Sequence, residues 1–416
     1  MRHIVFVAPH FLPNTNRYLQ AFASLEGVLL SVVSEDPLEA MPPPLRSKLG
    51  GHYRVRSTLD GKELTEALRR IARAIRPIDR LTGALEELQI PMAEARSALG
   101  IEGMGIEIAR RFRNKDEMKA VLRAHGVPVA PSTLARSLEE LEAFIRRFGY
   151  PIVIKPRAGL GTRSTHRVDS REELEDLIEA GFAPSPERPL QVERFIRARE
   201  HTCETVSIFG RTIWRSGTRY FPSPLEVLET PWIQYTILLP READDPTWTR
   251  FHPINEAALQ ALFGEGLGTP ASTALTHMEW FLTEEGEMLV SEVGARPPGV
   301  QIMPLMSIAH ESDLIRDWAE LIAFDRFTPK ERKWAAGAAF FRGQGRGKKI
   351  VSVSGVEEAI KACGDALVEA QFPKLGQARS SSYEGEGWAL VRSPTTQGAK
   401  AALLTLIQKV QIRYGD

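Results

Sequence analysis

The sequence predicts an α/β protein that begins with an open, largely parallel sheet and continues into a part richer in strands. Two short apolar runs, at 4–8 and 28–33, flank an amphipathic segment at 15–25, which indicates a strand, a helix and a second strand. Helical periodicity at 61–75 and 84–99 continues this alternation. A chain of 416 residues exceeds one ordinary hydrophobic core, so we expect several domains that share interfaces.

The composition excludes several classes of partner. The chain carries 53 basic and 53 acidic residues, so its overall charge attracts neither nucleic acid nor an anionic membrane. Cys203 and Cys363 are the two cysteines and form no CxxC pair, which predicts neither a disulfide framework nor a structural zinc. No stretch approaches the roughly 18 apolar residues that span a bilayer. We therefore expect a cytoplasmic protein. A homodimer is compatible with this composition.

A second unit begins near Asn114, which is a candidate N-cap for a helix at 115–125. A buried-strand pattern follows at 150–156 and carries Lys155 near its end. Strand patterns then dominate the middle of the chain, and a tail from about residue 335 has strand and helix patterns of its own. The first strand is not followed by GxGxxG, so a dinucleotide-binding domain is not indicated.

A lysine and a glycine-rich loop form one candidate phosphate site. Lys155 is followed closely by a loop that contains Gly159, Gly161 and Thr162. Small residues let backbone N–H groups approach an anion, and a lysine beside them adds positive charge. Most loops of this composition are ordinary turns, and a solvated lysine is the commonest explanation for Lys115 at the start of its helix.

Two strand patterns joined by a charged turn at 283–286 predict a β-hairpin. If the turn is centred between Glu285 and Gly286, Glu279 lies directly opposite Glu292. Two opposed carboxylates repel each other, and a divalent cation with oxygen ligands would convert that repulsion into coordination. The alternative is that both glutamates face water on an open sheet.

An extended segment at 191–196, followed by Glu200, is a candidate for nucleotide recognition. Free backbone N–H and C=O groups of such a segment can bind the edge of an adenine, and a carboxylate beyond it can accept hydrogen bonds from ribose hydroxyls. A charged linker with two glutamates would have the same appearance.

In their order and spacing these features resemble the ATP-grasp superfamily. The matching pieces are Asn114-Lys115 with the helix after it, the strand ending in Lys155-Pro156, the loop to Ser164, the segment from Glu193 to Glu200, and Glu292-Val293-Gly294-Ala295-Arg296-Pro297-Pro298-Gly299. The resemblance covers most of the chain, because the first domain is similar to the α/β domain that precedes the grasp. It implies a pre-ATP-grasp domain followed by two subdomains with the nucleotide between them.

The resemblance also implies a division of the chain into four parts. These are an N-terminal α/β domain at 1–112, a small subdomain with the glycine-rich lid at 113–190, a large subdomain with the metal hairpin at 191–334, and a C-terminal α+β segment packed on the large subdomain at 335–416.

The resemblance implies an ATP contact for nine residues: Lys115, Lys155, Gly159, Gly161, Thr162, Glu193, Arg194, Ile196 and Glu200. The lysines and the loop would surround the triphosphate, with Lys155 also near the adenine. The backbones at 194 and 196 would bind the adenine edge beside the carboxylate at 193, and Glu200 would bind the ribose.

Glu279 and Glu292 would then hold magnesium, or manganese in its place. Arg296 would stabilise the transferring phosphoryl group or the acyl phosphate, and Lys155 would act with it; a structural role in its loop is the alternative for Arg296. Many members of the superfamily have asparagine two residues after the second metal glutamate, whereas this chain has Gly294. That departure weakens a second magnesium site.

The implied function is an ATP-dependent ligase that activates a carboxylate as an acyl phosphate and couples it to an amine, releasing ADP and phosphate. Small carboxylates and amines, amino acids among them, are the expected substrates. Two alternatives stay open. One is an enzyme with another acceptor, similar to biotin carboxylase, which would need a separate carrier because the chain lacks Met-Lys-Met. The other is an ATP-binding regulatory module without turnover.

No motif identifies the substrate pocket. Tyr220, Trp232 and Trp248 are candidates for its lining, although packing explains aromatic residues there equally well. His277 lies two residues before Glu279 and could contact substrate. A packed or hydrogen-bonded histidine is the more common case.

Overall fold

The computed structural model describes residues 1–156, 165–222, 226–227, 233–380 and 384–416. The α-helices are α1 (Pro13–Ala23), α2 (Pro43–Arg46), α3 (Gly61–Ala74), α4 (Gln89–Leu99), α5 (Ile106–Arg113), α6 (Lys115–Ala124), α7 (Leu138–Phe148), α8 (Arg171–Glu179), α9 (Pro246–Phe263), α10 (Ile302–His310), α11 (Leu314–Phe324), α12 (Val356–Cys363) and α13 (Thr396–Lys409).

The strands of the first half are β1 (Arg2–Val7), β2 (Val28–Ser34), β3 (Gly51–Arg54), β4 (Arg80–Thr82), β5 (Ser132–Ala135), β6 (Ile152–Pro156), β7 (His166–Val168), β8 (Leu190–Arg194) and β9 (Ala198–Ile208). Those of the second half are β10 (Arg211–Ser216), β11 (Arg219–Phe221), β12 (Tyr235–Leu239), β13 (Ala274–Thr283), β14 (Met288–Gly294), β15 (Ala335–Phe341), β16 (Lys349–Ser354), β17 (Leu367–Gln371), β18 (Gly387–Ser393) and β19 (Gln411–Gly415).

The first sheet is parallel and has the strand order β3-β2-β1-β4. Both faces of β1 are covered, because Ile4 and Phe6 belong to the core that contains α1 whereas Val5 and Val7 belong to the core that contains α3. Strands buried on both faces are expected to be continuously apolar. The chain adds β2 and β3 on one side of β1 and then returns to add β4 on the other side. Ligands of open α/β sheets bind beyond the carboxyl ends of the strands where the chain changes sides in this way.

The second sheet is antiparallel, with the order β5-β8-β6-β7. Leu141 and Phe144 of α7 and Leu174 of α8 form its core together with the apolar side chains of β6 and β8. Ahead of this sheet, α6 begins after Asn114 as predicted, but the amide of Asn114 donates to Glu117 (2.8 Å) instead of capping the helix.

The largest sheet has the order β14-β13-β9-β11-β12-β15-β18-β17, with β10 paired to β9. Its strands continue across residue 335, because β12 and β15 are hydrogen-bonded neighbours. The tail therefore extends this sheet through β15, β17 and β18, and α13 packs on the extension. In the part of the chain that is described, no helix is both long and apolar enough to cross a membrane.

Candidate active site

A cavity of about 380 Å³ lies where the second sheet faces the β9-β13-β14 edge of the largest sheet. Every predicted site residue with a described position lines it: Lys115 at the start of α6, Lys155 in β6, Glu193 and Arg194 in β8, Ile196 before β9, Glu200 in β9, Glu279 in β13, Glu292 in β14 and Arg296 after β14. Gly159, Gly161 and Thr162 fall outside the described residues. The elements thus bring nine of the twelve predicted residues to one cavity.

The predicted opposition of Glu279 and Glu292 is present in the hairpin of β13 and β14. The predicted centre of the turn is wrong, since Leu282 pairs with Met288 and the turn is centred half a residue earlier. A bulge leaves Ser291 unpaired and adds one residue to β14, which restores the opposition. The bulge therefore directs both carboxylates to the same side of the sheet.

Lys115 and Glu292 form a close ion pair, with 2.5 Å between Nζ and Oε2. The lysine side chain is 5% exposed and the glutamate side chain 24% exposed, so the carboxylate still faces the cavity. Burial raises the pKa of Glu292, but the charges of Lys115 and Lys155 outweigh it and lower the pKa to about 2. Glu292 is therefore ionised throughout the neutral range and available to a cation.

Glu193 is buried and accepts hydrogen bonds from two lysines. Lys119 Nζ lies 2.7 Å and Lys155 Nζ 3.0 Å from Glu193 Oε1. Burial raises the pKa of Glu193, but both lysines outweigh burial and hold that pKa well below its usual range. Lys119 is fully buried, and burial lowers its pKa to about 8 even with Glu193 beside it. The carboxylate thereby fixes Lys155 at the cavity wall.

Lys119 was not among the predicted site residues, although its spacing offered a signal. It follows Lys115 by four residues on α6, and residues at that spacing lie on the same face of a helix. Two lysines on one buried face are unusual unless a carboxylate compensates them.

Three carboxylates converge on the cavity, because Glu200 lies on β9 next to β13 and faces the opposed pair. Burial raises the pKa of Glu200 well above its ordinary value, and the charges of Glu279 and Glu292 raise it further. Such repulsion is relieved by a bound cation. Across the described ranges, no three His, Cys, Asp or Glu side chains are already arranged to hold a metal ion.

His277 connects this site to a buried carboxylate that sequence reasoning missed. Its Nδ1 lies 2.8 Å from Glu204 Oε1, and its Nε2 lies 3.5 Å from Glu279 Oε1. Burial lowers the pKa of His277, but the hydrogen bonds to Glu204 and Glu279 outweigh burial and raise the pKa to about 9. The hydroxyl of Thr202 also donates to Glu204 (3.0 Å). The histidine is both hydrogen-bonded and part of the cavity wall.

Arg296 is held by the first domain. Its Nη2 and Nε donate to Glu86 Oε2 at 2.9 and 3.2 Å, while Arg113 donates to the other oxygen of Glu86 at 3.2 Å. Burial lowers the pKa of Arg296, but the charge of Glu86 outweighs it, so the guanidinium stays positive at the cavity wall. Glu86 was not predicted, and no local motif marks it because it lies 210 residues from its partner.

The three aromatic residues that were candidates for the pocket lining have different surroundings. Tyr220 lines the cavity. Trp248 does not, because it is 4% exposed and packs edge-on against Trp280 in the core, so the packing alternative is confirmed for this residue. Trp232 lies outside the described residues. Phe195 and Phe281 line the cavity instead.

Part of the chain matches known ATP-binding proteins in sequence. The family model of the carbamoyl-phosphate synthase L chain ATP-binding domain matches residues 114–206. The L-arginine-specific L-amino acid ligase of Bacillus subtilis is 26% identical over 261 residues, which are 62% of this chain and 60% of that relative. The match therefore spans about three fifths of that relative's length.

Solved structures match over the whole chain. The L-amino acid ligase from Bacillus licheniformis has a TM-score of 0.79 at 19% identity, covering 100% of this chain and 99% of that one. The N5-carboxyaminoimidazole ribonucleotide synthetase from Thermotoga maritima has a TM-score of 0.69 at 16% identity, covering 100% of both. The predicted ATP-grasp resemblance and fold class are thus confirmed: residues 114–206 match an ATP-binding family, and the chain has the ATP-grasp fold.

Proposed function

We propose that this chain is an ATP-dependent, ADP-forming ligase that joins a carboxylate to an amine, with amino acids as its substrates. The observation that carries the proposal is the convergence of Lys115, Lys155, Glu279, Glu292 and Arg296 on one cavity. Three cations and two opposed carboxylates on a common wall are suited to a polyanion that arrives together with a divalent metal. The match of residues 114–206 to an ATP-binding family and the two amino acid ligase relatives support the same function.

The nucleotide would lie between the second sheet and the hairpin. Lys115 and Lys155 contact its phosphates, and the loop with Gly159, Gly161 and Thr162 closes over them. These roles remain proposals, as does the four-part division of the chain at residues 112, 190 and 334.

The adenine would bind to the backbone between β8 and β9. The N–H of Arg194 already donates to the carbonyl of Pro131 (2.9 Å), so Arg194 has its carbonyl left to accept from the adenine amino group. The N–H of Ile196 has no hydrogen-bond partner among the described residues and is free to donate. Glu193 supports this wall through Lys155, and Glu200 binds the ribose.

Glu279 and Glu292 would hold magnesium. The fit rests on their direct opposition and on the repulsion that raises the pKa of nearby Glu200, since a cation relieves both. When bound, the metal neutralises charge on the phosphates during transfer. Gly294 offers no oxygen from a side chain, so a second metal would lack one ligand.

The reaction needs positioning and charge neutralisation more than covalent help from the protein. An oxygen of the acid substrate forms a bond to the γ-phosphorus as the bond to the β-phosphate oxygen of ATP breaks, giving an acyl phosphate and ADP. The amine then attacks the acyl carbon, loses a proton and displaces phosphate. Arg296 lies at the wall where negative charge develops, and Glu86 keeps its guanidinium in place.

Incubation of the purified chain with Mg·ATP and pooled amino acids tests the proposal. We expect ADP release that depends on amino acids, a product whose mass equals two substrates minus water, and a hydroxamate when hydroxylamine replaces the amine. ADP release without any amide product would favour an enzyme with another acceptor. ATP binding without turnover under every combination would identify a regulatory module and refute the ligase.

A further inference from the structure

A small cavity lies between the first sheet and the largest sheet, apart from the active-site cavity. Its volume is about 70 Å³. Its walls come from β4, α4 and the loop at 102–104 on one side, and from the start of β13 and from α11 on the other. Among the described residues, none lines both this cavity and the active-site cavity. An occupant here would therefore contact two parts of the fold without meeting the nucleotide.

Arg96 of α4 is fixed at the wall of this cavity by two backbone carbonyls. Its Nη1 donates to the carbonyl of Met104 (3.0 Å) and its Nη2 to the carbonyl of Leu81 (2.7 Å). Both of these residues also line the cavity. A carbonyl accepts a hydrogen bond but carries no net charge, so these contacts position the guanidinium without neutralising it.

The third type of donor in this guanidinium, Nε, is left over. The Nε of Arg96 is buried and has no hydrogen-bond partner in the part of the chain that the structure describes. A Cβ added to Gly103, which lines the cavity, would lie 3.2 Å from this nitrogen. Because glycine has no side chain, the space beside Nε stays open to an occupant. A buried charged donor without a partner is costly, and an acceptor in the cavity would relieve that cost.

The carboxylates around the cavity are already paired with other arginines. Arg80 lies 2.6 Å from Glu102 and 2.9 Å from Asp325, and Arg2 lies 4.0 Å from Asp325. Two arginines and two carboxylates balance each other, which leaves the charge of Arg96 uncompensated. Burial and the charge of Arg80 lower the pKa of Arg96 to about 10. The guanidinium is thus still positive at neutral pH.

Both the missing acceptor and the missing charge point to a small anion. A water molecule would accept from Nε but would leave the positive charge unbalanced, whereas an anion would do both through a charge-assisted hydrogen bond. Liquid water takes about 30 Å³ per molecule, so the cavity has room for an ion of one or a few atoms and excludes a nucleotide or an amino acid. Gln89 lines the cavity and is 7% exposed, and its amide N–H can donate to the same ion.

We propose that this cavity is a binding site for a small monovalent anion such as chloride, which compensates Arg96 and links β4 and α4 to β13 and α11. The bound ion stabilises the contact between the first sheet and the largest sheet. This role goes beyond the proposed ligase function and does not depend on it, because the site shares no lining residue with the active-site cavity among the described residues.

Thermal unfolding in graded chloride tests the site. Sodium gluconate, whose anion is too large for the cavity, is replaced stepwise by sodium chloride at constant sodium. The Tm of the wild type should rise and then saturate. Chloride at ten times its Kd contributes about 1.4 kcal/mol, which for 416 residues is a rise in Tm of about 1–3 °C. A Tm that does not respond to chloride would refute the proposal.

Two variants and a control assign the effect to this cavity. Gln89→Met removes the amide and keeps the length of the side chain, so the chloride concentration that gives half of the rise should increase about threefold to tenfold. Arg96→Gln removes the charge and should abolish the rise, although its Tm in gluconate is itself lower because contacts to two carbonyls are lost. Gln408→Met, at an exposed position of α13, is the control and should respond as the wild type does.

Crystals of the wild type grown with sodium bromide identify the occupant directly. We expect an anomalous bromide peak within hydrogen-bond distance of Arg96 Nε. Water alone at that position, or a chloride response that both variants keep unchanged, would overturn the proposal. If Arg96→Gln does not fold, Gln89→Met and the bromide peak still decide the matter. Neither measurement uses ADP formation, so failure of the ligase function would leave the result for this cavity unaffected.

Discussion

Lys115→Met removes the lysine partner of Glu292 while keeping a side chain of similar length. Breaking a buried ion pair by deleting one partner costs about 3–5 kcal/mol. The side chain of Glu292 is 24% exposed, so water compensates part of its charge. Lys155 and Arg296 also remain to compensate it. We therefore expect a loss of about 2 kcal/mol in the free energy of unfolding. For a chain of 416 residues, 1 kcal/mol corresponds to about 1–2 °C, so Tm should fall by about 2–4 °C.

Magnesium should restore much of this loss. A divalent cation held by Glu279 and Glu292 would take over the compensation that Lys115 provides, so the variant should gain more stability from added magnesium than the wild type does. Thermal unfolding followed by circular dichroism, with and without magnesium, measures both effects. Lys400→Met on the exposed face of α13 is the control and should behave as the wild type. An unchanged Tm would show that Lys115 does not stabilise the fold by compensating Glu292. A lowered Tm that added magnesium does not raise would show that no cation replaces Lys115 there.

Three further substitutions have defined outcomes. Glu193→Gln leaves Lys155 and the fully buried Lys119 without a carboxylate. The free energy of unfolding, measured with denaturant, should therefore fall by about 3–5 kcal/mol; a fall below about 1 kcal/mol would contradict the pairing. Gly294→Asn should fold normally, because a Cβ there meets its nearest neighbour at 3.6 Å, and should alter the magnesium dependence of ADP formation through the added oxygen. Glu204→Gln weakens the hydrogen bond to His277 and should lower the free energy of unfolding, measured with urea, by about 1–3 kcal/mol. Glu204→Asp, which keeps the negative charge, is the comparison.

The order of elements was accessible from the sequence because apolar periodicity reflects burial directly. The runs at 4–8 and 28–33 became β1 and β2, and the helical periodicity at 61–75 became α3. Strand pairing was harder, since it depends on contacts between distant segments. The continuation of the largest sheet across residue 335 follows from the pairing of β12 with β15, which no local pattern shows.

The opposed glutamates show why a correct contact can follow from an incorrect detail. Symmetry about the turn predicted that Glu279 faces Glu292, and the pairing is present. The turn itself is shifted, and a bulge at Ser291 compensates for the shift. A bulge is selected by packing against neighbouring strands and leaves no regular pattern in the sequence.

Residues that support the site from a distance were missed for the same reason. Glu86 binds Arg296 from another domain, and Glu204 lies 73 residues from His277. Each is an ordinary glutamate in its local segment, and its role appears only when folding brings the partner close. Lys119 is the exception, because its spacing from Lys115 on one helix was visible in the sequence.

Calorimetric titration with a non-hydrolysable ATP analogue, with and without magnesium, shows whether Glu279 and Glu292 hold the metal that accompanies the nucleotide. The wild type should bind the analogue more tightly with magnesium, whereas a Glu279→Gln, Glu292→Gln double variant should lose that magnesium dependence and still bind through Lys115 and Lys155. If the double variant keeps the full magnesium-dependent affinity of the wild type, the two carboxylates do not hold the metal of the nucleotide and the account of the site is contradicted.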